Sequence, residues 1–140
     1  MKLFKTEEYL DMANPNPDDS YRPEILTQEH NTKNLGGMFG LLPPGTQVPY
    51  HYHENRESII IVIAGEGVEI IEDEENPVRA GDVLYIPPME KHTIINRSDK
   101  DLHSFIPSTG RLWNSLPKSI FPPVYDLTTF KRRVSGHLPR

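Results

Sequence analysis

The chain has 140 residues, a net charge of −5 and no cysteine. That is the size of one ordinary domain, and it excludes disulfides, zinc thiolate sites and cysteine nucleophiles. The acidic balance argues against nucleic acid as a partner, because phosphate binding needs concentrated Lys and Arg; the clearest basic cluster, Lys131-Arg132-Arg133, reads as a solvated face or a helix end.

In chain order, Thr6 can cap a short helix over 6–13 that ends at Asn14-Pro15, with Glu7 and Glu8 in its first turn. The Asn/Pro/Asp-rich stretch 14–22 is a loop. Short segments rich in Val, Ile, Tyr and Thr predict strands over 24–30, 35–42 and 47–53, with Pro43-Pro44-Gly45 forcing a turn. A further strand over 57–64 passes through Gly65-Glu66-Gly67 into Val68-Glu69-Ile70-Ile71. The acidic run 72–77 is expected to be a hairpin tip and not a metal site. Strands near 78–80, 83–87, 92–97 and 101–107 complete an all-β pattern. The remainder, 108–140, is apolar but irregular around Leu112-Trp113 and Ile120-Phe121, with a possible short helix over 126–134. No apolar run approaches the roughly 20 residues of a membrane span, and the N-terminal stretch lacks the apolar core of a signal peptide. A cytoplasmic protein with no membrane partner is the expectation.

Two spaced constellations carry the chemistry. The first is Gly45, five residues, His51-Tyr52-His53, three residues, Glu57, and then Gly65. The second is Gly81, five residues, Pro87, then His92, three residues, Asn96. On a strand, His51 and His53 project from one face, with Tyr50 and Tyr52 on the other. Two imidazoles on one face, a third from His92 and a nearby carboxylate suit a divalent transition metal. His103 is expected at an edge or on the surface, and Asn96 at a strand end.

These spacings resemble the two sequence motifs of the cupin superfamily. The resemblance implies an all-β cupin jelly-roll barrel with its core over about 24–107, an N-terminal extension 1–23 and a tail 108–140, all in one domain. It implies one divalent ion (Fe, Mn, Ni or Zn) on His51, His53, His92 and Glu57. Two departures bear on the site. Met89 stands where the second motif has Gly. Counted forward from His53 the motif carboxylate is Glu57; counted back from Gly65 the position is Ser58. Alternation puts Glu57 and Ser58 on opposite faces unless a bulge intervenes, so either Glu57 or Ser58 faces the site.

A site of this kind leaves coordination positions for a small organic ligand. Lewis-acid or dioxygen chemistry, as in a metal-dependent dioxygenase or an isomerase-like cupin, is the first reading; a non-catalytic barrel that binds a small molecule is the second. No separate base stands out. The apolar tail suits a homodimer.

Overall fold

The protein is described here by a computed structural model covering residues 1–109. The expected helix over 126–134, the apolar tail segments and the Lys131–Arg133 cluster lie outside the described residues.

Eight strands form two antiparallel sheets among these residues. The larger sheet has the order β1-β2-β8-β3-β6, from Glu24–Leu26, Gly36–Leu42, Leu102–Ser108, Ser58–Ala64 and Val83–Ile86. The smaller has the order β5-β4-β7, from Glu74–Arg79, Glu66–Ile71 and His92–Ile95. This is the all-β jelly-roll expected from the strand and turn pattern.

The run Ser58-Ile59-Ile60-Ile61-Val62-Ile63 forms β3 because β-branched residues pack well on a pleated surface. Ser58, Ile60 and Val62 are buried, whereas Ile59 is 40 % exposed, so alternation divides the strand into an inner and an outer face. The inner faces of the two sheets enclose Leu42, Val48, Val62, Val78 and Leu102, with Leu84 and Ile94 packed against them. Burying each such side chain is worth about 1.5–3 kcal/mol. Gly65 turns β3 into β4 with φ +85°, and a Cβ there would collide with the Asp101 carbonyl oxygen, so only glycine fits.

Four expectations change. The strand expected over 24–30 ends at Leu26, and a 3-10 turn follows at Gln28–His30. The acidic run is mostly strand: the turn is confined to Glu72 and Asp73, both at positive φ, and Glu74-Glu75-Asn76-Pro77 enters β5 opposite β4. β5 is an edge of its sheet, which tolerates Pro77, and Glu75 pairs there with Arg97 at 2.7 Å. Residues 47–53 form no continuous strand. They meet β7 through isolated bridges at Gln47 and His51, because Pro49 has no N–H to continue the ladder. The helix α1 is shorter than expected, Thr6–Leu10, and Lys5 at its N-cap makes no side-chain capping bond. Tyr9 of α1 stacks on Phe39, which ties the N-terminal segment to the outer face of the larger sheet.

Candidate metal centre

His51 and His92 meet through paired backbone bonds, His51 N–H to His92 O at 3.0 Å and His92 N–H to His51 O at 2.8 Å. This bridge brings the two halves of the site together across 41 positions of sequence. The turn after β6 holds the third histidine: the Met89 amide donates to the His53 carbonyl at 2.7 Å. Met89 sits at φ +69°, the left-handed region that glycine fills in the family motif. His51 and His53 are half-buried while Tyr50 and Tyr52 are exposed, so the alternation expected of a strand survives without the ladder.

The imidazole nitrogens of His51, His53 and His92 all lie within 4.8 Å of one another. His51 Nδ1 is 2.6 Å from the Pro49 carbonyl, and His92 Nδ1 is 2.9 Å from the Glu90 carbonyl. A carbonyl only accepts, so each Nδ1 carries the proton and each Nε2 offers a lone pair. Arg56 Nη2 donates to His53 Nε2 at 3.1 Å, so this nitrogen is an acceptor as well. His51 Nε2 and His53 Nε2 stand 3.1 Å apart. Two lone pairs facing each other favour a cation between them, and two nitrogens bound at right angles to one ion at about 2.1 Å would lie about 3 Å apart. The donor set fits a divalent metal ion. Burial, reinforced by Arg56, lowers His53 to about 4, and burial lowers His92 too, which keeps both rings in the neutral, ligating form at pH 7.

The structure does not bring Glu57 to this group. Glu57 is exposed and its carboxylate accepts a hydrogen bond from Tyr85 Oη at 2.6 Å. Ser58 points inward instead: it is buried, lines the cavity with the histidines, and its Oγ has no partner.

Three further residues face the same cavity. Arg22 reaches it from the segment before β1, and Arg56 from the loop before β3. Glu69, on β4, is fully buried and neither carboxyl oxygen has a partner; burial pushes its pKa up to about 8. The cavity measures about 60 Å³ and has apolar walls that include Val48, Ile60 and Ile94. Sequence reasoning missed all three. The two arginines carried no spacing signal, and Glu69 stood as an unremarked member of a strand. His103 also differs from expectation. It is buried on the outer face, tilted against Phe39 with ring centroids 5.9 Å apart, whereas its neighbour Ser104 lines the cavity.

Asn96 secures the strand end as expected. Fully buried, it donates to the carbonyls of Leu42 and Lys100 and accepts from the amide and hydroxyl of Ser98.

Fold and site together define a small jelly-roll barrel with a three-histidine centre in its cavity. The cupin domain family profile matches residues 38–106. An oxalate-binding protein of Thermotoga maritima is 39 % identical over 80 residues, 56 % of this chain and 65 % of that protein. The chain therefore matches just under two thirds of that relative's length. An uncharacterized protein of Methanocaldococcus jannaschii is 34 % identical over 99 residues, 69 % of this chain and 78 % of that protein. The crystal structure of a predicted oxalate decarboxylase from Thermotoga maritima superimposes with a TM-score of 0.61 at 28 % identity, covering 64 % of this chain and 79 % of that one. The chain belongs to the cupin superfamily.

Proposed function

We propose that this cupin holds one divalent transition-metal ion on His51, His53 and His92 and binds a small organic carboxylate, of the class of oxalate, in the adjoining cavity. The observation that carries this reading is the convergence of Arg22 and Arg56 on the cavity that the three histidines line. Guanidinium groups are matched to carboxylates in charge and in geometry. The volume of about 60 Å³ suits a ligand of a few heavy atoms. The name of the Thermotoga relative, an oxalate-binding protein, agrees with this choice.

Bound there, a divalent ion would supply Lewis-acid polarisation or, as iron, access to dioxygen chemistry. The chain's own groups bind and orient. The arginines hold the anion, and Val48, Ile60 and Ile94 keep water from the side walls. Conversion of the ligand and binding without conversion are both compatible with this set, and the relative's name favours binding.

Two copies of the chain are proposed to pair through the outer face of β3 and β6. Ile59 and Tyr85 are cross-strand neighbours there, Tyr85 and Val83 are 57 % and 65 % exposed, and β6 is the sheet's edge. Sedimentation showing a monomer at micromolar concentration would refute the pairing.

The deciding experiment is elemental analysis of tag-free protein purified without chelator, followed by titration with ¹³C-labelled oxalate. One equivalent of metal, its loss in His92→Ala, and metal-dependent oxalate binding are expected. Failure of the parent to retain Fe(II), Mn(II), Ni(II) or Zn(II) after reconstitution would sink the metal reading. Metal retention without oxalate binding would sink the choice of ligand. The ¹³C spectrum of bound oxalate tells conversion from storage.

A further inference from the structure

Burying a carboxyl group without a hydrogen-bond partner is costly, and folded proteins rarely carry one without a use. Glu69 is 0 % exposed and both of its carboxyl oxygens are orphaned. The ladder fixes where the side chain points. Ile71 lies opposite His92 and Glu69 lies opposite Ile94. Residues two apart on a strand share a face, so Glu69 and His92 project from the same face of neighbouring strands, one step apart on the diagonal. Diagonal neighbours sit about 7–8 Å apart at the backbone, within reach of long side chains. Both residues line the same cavity.

Charge points the same way. Glu69 is the single acid among the described residues that line the cavity, which also include Arg22, Arg56 and three imidazoles. A divalent ion added to two guanidinium groups leaves this space strongly positive, and a buried anion is what it lacks. Ser58, at one of the two positions where the family motif could place its carboxylate, offers only a hydroxyl, and Glu57 is bonded to Tyr85 outside the group.

We propose that Glu69 is the charge-compensating carboxylate of the metal centre, supplied from β4 beside His92 in place of a carboxylate from the first motif. The proposal rests on the three-histidine metal reading and adds a residue to it. It explains why the chain keeps a buried acid that the metal-free fold does not use.

The test is calorimetric titration of Mn(II) into chelator-treated parent, Glu69→Gln, Glu69→Leu, Glu57→Gln and His92→Ala, with thermal melts of each metal-free protein. Affinity is expected to fall about 10–100-fold in both Glu69 variants, the usual loss when a group supporting a metal site is removed. Glu57→Gln should bind as the parent does and His92→Ala should not bind. Metal-free Glu69→Leu should melt at or above the parent, because it removes an orphaned buried carboxyl. Parent-like Mn(II) affinity in the Glu69 variants overturns the proposal and leaves the metal reading standing, as does a loss confined to Glu57→Gln. Metal-free Glu69 variants that melt well below the parent assign the residue a structural role and overturn it too. A parent that binds neither Mn(II) nor, in parallel titrations, Fe(II), Ni(II) or Zn(II) overturns the metal reading itself, and the proposal with it.

Discussion

Tyr85 on β6 donates its hydroxyl to the Glu57 carboxylate at 2.6 Å, and that bond sits one residue before the point where β3 turns Ser58 into the cavity. Glu57 and Ser58 therefore divide between two environments, as alternation requires when no bulge shifts the register. The adjacent backbone is tied down on the same side, where the Thr109 amide donates to the Glu57 carbonyl at 2.9 Å.

The Tyr85 bond raises the phenol's pKa, since a neighbouring carboxylate opposes ionisation. Glu57→Gln is expected to lower the Tyr85 pKa toward the ordinary phenol value while metal content stays at the parent level. Ultraviolet titration of the phenols, with Tyr85→Phe to assign the signal, checks the first half; elemental analysis checks the second.

Glu69 makes the stability of the metal-free protein depend on pH. Its folded pKa of about 8 lies above the ordinary 4.5, so the folded state holds the proton more firmly than the unfolded one. Its contribution is most favourable below the ordinary value and is lost as pH rises through 8, by a sum on the order of 5 kcal/mol. His53, held at about 4 against an ordinary 6.5, has the opposite sign, with stability present above 6.5 and lost as pH falls toward 4. His92 and His103 are lowered as well and share that sign, so from 6.5 to 8 their contribution fades while that of Glu69 dominates. Urea unfolding across that interval should show the parent losing stability, and Glu69→Leu should remove most of the slope.

Met89 is a non-glycine residue at φ +69°, 58 % exposed, in the turn whose amide holds the His53 carbonyl. A left-handed backbone costs an L-residue about 1–2 kcal/mol, partly offset by the greater chain entropy that glycine loses on folding. Met89→Gly should raise stability by about 1 kcal/mol without loss of metal binding. Chemical denaturation measures the first and elemental analysis the second.

Asn96 satisfies four hydrogen-bond positions at once, and the Gly45 amide also donates to its carbonyl at 2.7 Å. Asn96→Ala removes the side-chain bonds and leaves buried partners unpaired, at a cost of about 3 kcal/mol. The expected result is a large fall in the denaturation midpoint. A change below about 1 kcal/mol would show that the network is solvated in solution.

Arg56 occupies the His53 lone pair that a metal ion requires. Arg56→Ala removes both that competing donor and a like charge, so Mn(II) should bind several-fold more tightly. Oxalate should bind the metal-loaded variant at least tenfold more weakly, the loss expected for one charge-assisted hydrogen bond. Parallel titrations of metal and oxalate separate the two effects, which have opposite signs.

Much of this was legible in the sequence because it was local. The Ile59–Ile63 run, the glycine at Gly65 and the spacing of His51, His53 and His92 depend on side-chain shape, on φ preference and on periods of two. These survive in a one-dimensional reading, and they sufficed for an all-β barrel and for three ligands of one metal site. The ladder broke at Pro49 without moving the histidines, since their facing depends on backbone alternation and a pair of bridging bonds rather than on a full strand.

The rest was decided only in three dimensions. Whether Glu57 or Ser58 faces inward is a matter of register, which β3 settles by pairing Ser58 with Ile86 and Ser108. Glu69 misleads a linear reading for the same reason. Its neighbours Val68 and Ile70 are both apolar, and alternation around them would send the acid to solvent. Pairing with Ile94 of β7 sends it into the cavity instead. Arg22 and Arg56, 34 positions apart, meet the site because separate loops cross one barrel mouth. Local composition determined the strands and the spacing of the three histidines; strand pairing, whose partners are distant in sequence, decided which charged side chains surround them.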